Sequence, residues 1–511
     1  MKSFTIWALF FSFALNVHAY TKGKTYKITI LHTNDHHGRF WPNRDGELGL
    51  APRSTLINQL RKKITSDGGH VLLLDAGDVN TGVPQSDLQN AEPDFKGMAY
   101  INYDVMAVGN HEFDKPLETI MQQKEWAGFP FITANIYYSE SGKRVFPSHI
   151  NKNVDDLKIT IFGLTTEDTP YKSNPQNTKG LLFKPAVQEA KKLVPTLRKD
   201  TDILIALTHM GHYVDENHGA DAPGDVTLAR QVNGIDLIVG GHTQKPLFEP
   251  DIQNGSIIVQ AHEWGKYLGR VDLEYLDGKL TLKKYELIPI NLKESVTKIE
   301  PDAILEAMLK PFKDKGDESL MVELGSSEVE FIGKRDIVRK EETNLGNLVT
   351  RAFKEKFKAD LSILNSGGLR DSIYPGMVTY ENVLMVLPFA GEVVTTELTG
   401  KELKTYLEHI VFTLALSPGS GGFPQMSGVI ISADTLARSL TQITINGDEL
   451  CLTKKYKVAL PEFIAAGGDK YPVVKFTKYG YVDADILKDY ILGVKKLKAV
   501  DYAATGYIKI K

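Results

Sequence analysis

The sequence has 511 residues, 42% hydrophobic and 24% charged, which are ordinary globular values at a length where a single core would be unusual. A formal net charge of −4 excludes the bulk basic field that draws proteins to nucleic acid or anionic membrane, so an anionic ligand must be held by a local site. A lone cysteine, Cys451, excludes an intramolecular disulfide, and stability must come from packing.

Lys2 precedes an apolar run from Phe4 to Leu15, and Val17 to Ala19 offers a cleavage site, so residues 1–19 read as a signal peptide with Tyr20 the first mature residue. The run is too short to cross a bilayer, which takes roughly 20 residues. From Tyr26 to about Ile290, short apolar runs end in polar clusters: "ITILHTNDHHGRF", "VLLLDAGD", "DVMAVGNHEFD", "DILIALTHMGH" and "DLIVGGHTQ". Helical patterns such as "LAPRSTLINQLRKKI" and "PAVQEAKKLVPTLRK" lie between some of them, which predicts a layered α/β domain over 20–300 with sheets covered on both faces. "PDAILEAMLKPFKDK" carries Ile304, Leu305, Met308, Leu309 and Phe312 at helical spacing and predicts a joining helix over 301–319. Residues 320–511 follow a different pattern, with a helix at "TNLGNLVTRAFKEKF" and a strand entering a glycine turn at "DLSILNSGGLRDSI". The short polar end "AATGYIKIK" gives no sign of a membrane tail or lipid-anchor signal.

The polar clusters are where chemistry concentrates. Asp35 with His37, Asp78, Asn110 with His111, His209 with His212, and His242 with Gln244 all follow apolar runs in the first half. A polar residue after a strand is ordinarily a turn or cap residue, but five such ends together are harder to read that way. Carboxylate, imidazole and amide oxygen without thiolate suit a pair of divalent ions, zinc before manganese or cobalt, rather than a structural thiolate site. Two ions about 3.5 to 4 Å apart usually share a carboxylate, and Asp78 is the candidate bridge. Asp35 and His37 alternate by two, which would place both on one side of an extended chain with His36 elsewhere. In "NHEFD", Asp114 follows His111 by three and can hydrogen-bond its ring, favouring the protonated form.

These motifs, with "FWPNRDGELGLA", "NTGVPQSDLQNAEPDFKGM" and "VQAHEWGKYLGR", resemble the calcineurin-like metallophosphoesterases, and within them the bacterial periplasmic 5'-nucleotidase/UDP-sugar hydrolase family. The resemblance covers nearly all of the mature chain. It implies a four-layer αββα sandwich followed by a smaller α+β nucleotide-binding domain. It further implies that Asp35, His37, Asp78 and Gln244 hold one ion and Asp78, Asn110, His209 and His242 the other. His111 would contact the phosphoryl group, and Asp114 would hold its imidazole. His36, His212 and His262 fall outside that set.

For the second half the resemblance implies that Arg335, Arg339 and Arg370 bind phosphate, Phe389 and Phe463 stack on the base, Asn365 contacts the base and Asp469 the ribose hydroxyls. Gly421 would let the backbone approach the nucleoside. Read without the family, these residues are ordinary surface arginines and core rings. The resemblance to the periplasmic enzymes would imply extra cysteines in an insertion near the last metal motif. Here "GGHTQKPLFEPDIQNG" reaches "VQAHEWG" by a shorter connection without cysteine. The activity implied is hydrolysis of 5'-nucleotides and UDP-sugars by in-line attack of a water activated by the two ions, completed when the domains approach. The expected product is a periplasmic or secreted monomer of nucleotide catabolism, acting on a small nucleotide or nucleotide-sugar, with no nucleic acid polymer and no membrane anchor. The alternatives are a 2',3'-cyclic nucleotide phosphodiesterase or dinucleotide pyrophosphatase of the same family, and a non-catalytic nucleotide-binding protein.

Overall fold

The computed structural model describes residues 20–510 apart from 44, 175, 219–220, 319, 390, 418 and 480; the expected signal segment lies outside them. In the first half the strands are β1 (Tyr26–Thr33), β2 (His70–Asp75), β3 (Val105–Ala107), β4 (Phe131–Ile132), β5 (Ile136–Tyr138), β6 (His149–Val154) and β7 (Leu157–Thr165). They continue with β8 (Leu181–Phe183), β9 (Ile203–His209), β10 (Leu237–Gly240), β11 (Asp251–Gln253), β12 (Ser256–Gln260), β13 (Tyr267–Leu276) and β14 (Lys279–Pro289). They build two six-stranded sheets, ordered β14-β13-β1-β2-β3-β4 and β11-β12-β10-β9-β7-β6, while β5 pairs with β8.

The unbroken apolar runs are explained by what covers them. Ile28 and Ile30 of β1 pack with Ile203, Ile205 and Leu207 of β9 in a core between the two sheets. Leu31 instead joins Leu50, Ile57 and Phe95 under the helices of one outer face, and Leu204 and Ala206 join Ala186, Ala190 and Leu228 under those of the other. Both faces of each central strand are therefore buried, and the first half is an αββα sandwich. Strands β1 to β4 run parallel, as do β7, β9, β10 and β12. In such sheets the loops at the carboxyl ends are where ligands bind.

The expected joining helix spans Ala303–Glu318 and is more than a spacer, because it buries Leu305 and Leu309 in the core of the first half. Asp302 starts it by accepting the N–H of Ile304 at 3.1 Å and of Leu305 at 3.2 Å. Beyond it, a four-stranded sheet is ordered Val393–Thr399, Lys455–Pro461, Leu361–Asn365, Pro424–Ser427. The helix Asn344–Phe357, capped by the Thr343 side chain, contributes Leu345, Leu348, Val349 and Phe353 to a core of residues from Leu324 onward. The second half thus has cores of its own and is α+β in build. Gln85 links the halves, donating to Asp317 Oδ1 at 3.1 Å and to Glu381 Oε1 at 2.9 Å. Among the described residues no helix is long and apolar enough to cross a membrane.

Candidate metal centre and substrate cleft

Strand β1 stops at Thr33, and Asp35 and His37 follow in left-handed backbone, φ 51° and 50°. The expectation that alternation along an extended chain aligns them is therefore corrected: turns, not a pleat, bring His37 Nε2 to 3.8 Å from Asp35 Oδ1. Asp78, His242 and Gln244 are left-handed too, at φ 60°, 76° and 58°. Each such residue costs about 1–3 kcal/mol and persists only where the surroundings enforce it. Here the loops after β1 and β2 are zipped together, with Asp35 N–H donating to Gly77 O at 2.9 Å and His37 N–H to Asp78 O at 3.0 Å.

The ligand atoms converge. Asp35, His37 and Asp78 present atoms all within 4.8 Å of one another, and so do Asp78, His209 and His242. Asp78 is common to both, and its Oδ2 lies 2.9 Å from His209 Nε2 and 4.0 Å from His37 Nε2. The rings are oriented from behind. His209 Nδ1–H donates to Ala76 O at 2.7 Å and His37 Nδ1–H to Thr81 O at 2.7 Å, leaving both Nε2 atoms facing the cluster. His242 Nδ1 approaches Asn110 Oδ1 at 2.8 Å. Gln244 Nε2 lies 2.7 Å from His37 Nε2.

A cation fits this set. Asp35 Oδ1 is buried without a hydrogen-bond partner, and burial, opposed by His209 and reinforced by Asp78, raises its pKa well above the carboxylate range. Burial works against charge on His209, but the Asp78 carboxylate overcomes it and pushes the ring up to about 10. Carboxylate oxygens and imidazole nitrogens converging around the unpartnered Asp35 Oδ1 are a donor set that suits divalent ions.

Around the cluster, Asp78 Oδ1 accepts His111 N–H at 2.8 Å, and His111 Nδ1 lies 2.7 Å from Asp114 Oδ2. Burial opposes protonation of His111, yet the carboxylates of Asp114 and Asp78 raise its pKa. His36 is turned away: Arg53 donates to its Nδ1 at 3.1 Å, so its Nε2–H is given to Asp94 Oδ1 at 2.9 Å. His212 bonds Asp251 Oδ2 at 2.8 Å, and His262 stacks on Tyr267 at 6.0 Å. All three hold loops in place, outside both ligand triads.

Glu112 is a residue the motif reading passes over. Buried beneath the cluster, it accepts N–H groups of Asp78 at 3.0 Å, Val79 at 2.8 Å and Gly109 at 2.7 Å, tying the loops after β2 and β3 together. Nothing in the order of residues distinguishes it from a surface carboxylate. Gly109 sits in the same knot, where a Cβ would come 2.2 Å from Asp78 Oδ1 and 2.6 Å from Asp78 N. Gly109→Ala should displace Asp78 by a large fraction of an ångström and lower turnover by about a hundredfold. Metal analysis of the purified variant should show reduced binding, and full metal content with full turnover would contradict the packing argument.

Asp78, Asn110, His242 and Gln244 of the cluster line the floor of a cleft between the halves, open to solvent. The second half contributes Arg335, Arg339, Asn365, Arg370, Phe389, Gly421, Phe463 and Asp469 to its walls. Burial, with Arg335 and Arg370 nearby, holds the Arg339 guanidinium well below its ordinary range, a strain that an anion would relieve. Arg335 donates to Gln244 across the cleft. Phe389 stacks on His111, rings 5.7 Å apart at 19°, with the Arg370 guanidinium 5.5 Å from the Phe389 ring. Asn365 Nδ2 donates to Asp469 Oδ2 at 2.7 Å beside Gly421, whose Cβ would meet that oxygen at 3.2 Å.

Comparison with known proteins agrees with this division. Residues 28–246 match the calcineurin-like phosphoesterase family and residues 323–476 the 5'-nucleotidase C-terminal domain. A 5'-nucleotidase of Vibrio cholerae is 45% identical over 95% of this chain and 94% of its own length. Protein UshA of Escherichia coli is 42% identical over 96% and 95%. The crystal structure of a 5'-nucleotidase precursor from Thermus thermophilus superposes with a TM-score of 0.81 at 28% identity, covering 95% of this chain and 99% of that one. Likeness at that level, along almost the whole of both partners, means that the chain belongs to the 5'-nucleotidase family of calcineurin-like phosphoesterases.

Proposed function

We propose that this protein is a metal-dependent hydrolase that converts 5'-nucleotides to nucleosides and phosphate, and UDP-sugars to UMP and sugar 1-phosphate. The observation that carries the reading is the cleft itself, in which a carboxylate and imidazole cluster from one half faces three arginines and two phenylalanines from the other. Residues 20–300 act as the metal-bearing domain, 301–319 as the connecting helix and 320–511 as the nucleotide-binding domain. The name of the Vibrio cholerae relative, 5'-nucleotidase, supports the substrate class, and the apolar leader supports export to the periplasm or beyond.

Asp35, His37, Asp78 and Gln244 would hold one ion, and Asp78, Asn110, His209 and His242 the other. The donor set favours zinc, with manganese or cobalt admissible. Such ions supply Lewis-acid polarisation of the phosphoryl oxygens and an activated water. The protein does the rest. Arg335, Arg339 and Arg370 grip the phosphate oxygens, and the forked guanidinium suits that task. His111, kept protonated by Asp114, offers its other ring nitrogen to the phosphoryl group as negative charge builds in the transition state. Phe389 and Phe463 stack on the base, Asn365 contacts it, and Asp469 takes the ribose hydroxyls beside Gly421.

A metal-reconstituted substrate panel with product identification tests this. AMP, UMP and UDP-glucose should be turned over in preference to 2',3'-cyclic AMP and dinucleotides, and the reverse order would favour a phosphodiesterase or pyrophosphatase. Phe463→Ala should weaken kcat/KM for AMP by roughly tenfold more than for p-nitrophenyl phosphate, since a stacked base contributes about 1–3 kcal/mol. Equal loss on both would remove base stacking from Phe463.

A further inference from the structure

Lys172 ends the short helix Thr169–Lys172 of the first half and reaches the wall of the cleft. Its ammonium donates to Asp221 Oδ1 at 2.8 Å and lies 3.7 Å from Asp469 Oδ1. Asp221 belongs to the first half and Asp469 to the second, so one partly buried cation lies between carboxylates of both. Tyr213 OH donates to the other Asp221 oxygen at 3.3 Å, fixing that carboxylate from behind. Burial opposes the charge on Lys172, but Asp469, Asp221 and Asp168 outweigh it and hold its pKa above the ordinary lysine value.

An ion pair that merely glues the halves would be expected at the rim, in direct contact. This one is only 16% exposed at the lysine and 8% at Asp469, and its longer arm ends on the carboxylate assigned to the ribose hydroxyls. Asn365 holds one oxygen of Asp469 at 2.7 Å, while the other oxygen faces the lysine. A hydrogen bond on one oxygen and a cation within ion-pair reach of the other together favour one orientation of the carboxylate.

We propose that Lys172 is a positioning residue for nucleoside recognition, a charge supplied by the metal-bearing half that orients Asp469 toward the ribose. The sugar pocket is then built from both halves. The inference rests on the reading of Asp469 as the ribose contact.

The test uses the full-length holoenzyme with AMP, 2',3'-dideoxy-AMP and p-nitrophenyl phosphate. Lys172→Met should raise KM for AMP roughly tenfold more than for the other two, the scale of one charge-assisted contact, with a smaller change in kcat. Lys172→Arg, which keeps the charge, should recover most of the loss. Equal losses on all three substrates would make Lys172 a structural tie, and an unchanged KM for AMP would remove it altogether; either overturns the proposal. Asp469→Ala separates the two readings. If Asp469→Ala raises KM for AMP and for the dideoxy compound equally, the ribose assignment itself falls, whereas a rise confined to AMP beside a silent Lys172→Met defeats only the role of the lysine.

Discussion

Asp78→Asn is expected to lower turnover by at least about a thousandfold, equivalent to about 4 kcal/mol of barrier, and to leave the protein with fewer than two bound ions. The side chain barely changes size, so the effect reports charge. Asp78 is the residue common to both ligand triads, and its Oδ2 approaches both His209, at 2.9 Å, and His37, at 4.0 Å. Removing that charge leaves His209 without the carboxylate that raises its pKa, and leaves Asp35 as the remaining acid of the floor. The other oxygen still accepts His111 N–H, so the loop should hold its course. Metal content by mass spectrometry and kcat for AMP check the pair of expectations, and retention of both ions with normal kcat would remove Asp78 as the bridge.

His111→Ala should behave differently: metal content stays and kcat falls about a hundredfold to a thousandfold, the usual cost of deleting one donor aimed at transition-state charge. The ring lies beside the cluster, on Phe389 and bonded to Asp114, and belongs to neither ligand triad. Since it acts as charge builds, KM should move much less than kcat. Should metal be lost in parallel with turnover, His111 would have to be counted among the ligands.

How much of this is legible in the sequence depends on the range over which each feature is determined. Strand-end clusters announce themselves locally, because an apolar run followed by Asp, Asn or His marks where a buried strand breaks into a loop. The helix Ala303–Glu318 is legible from spacing, yet not which of its apolar residues are buried. Ile304 is 70% exposed while Leu305 and Leu309 are fully covered. The turn that aims Asp35 and His37 escapes a reading by alternation, which presumes an extended chain, and left-handed torsions leave little trace beyond nearby glycines. Lys172 is invisible for a different reason. In "TPYKSN" it looks like a solvated lysine, and its meaning comes from Asp221 and Asp469, far along the chain.

The left-handed turns also change what a substitution at the metal floor means. Asp35, His37, Asp78, His242 and Gln244 occupy torsions that glycine adopts freely and that asparagine and aspartate tolerate better than other residues. Alanine there deletes a donor and raises the torsional cost together, so its phenotype mixes two causes. Asparagine in place of aspartate subtracts charge and little else. At His37 and His242 asparagine vacates the imidazole while tolerating the turn, and leaves a shorter amide in its place. Asparagine is therefore the informative replacement at all four positions: at the two acids it isolates charge, and at the two histidines it isolates the imidazole, with the turn preserved in each.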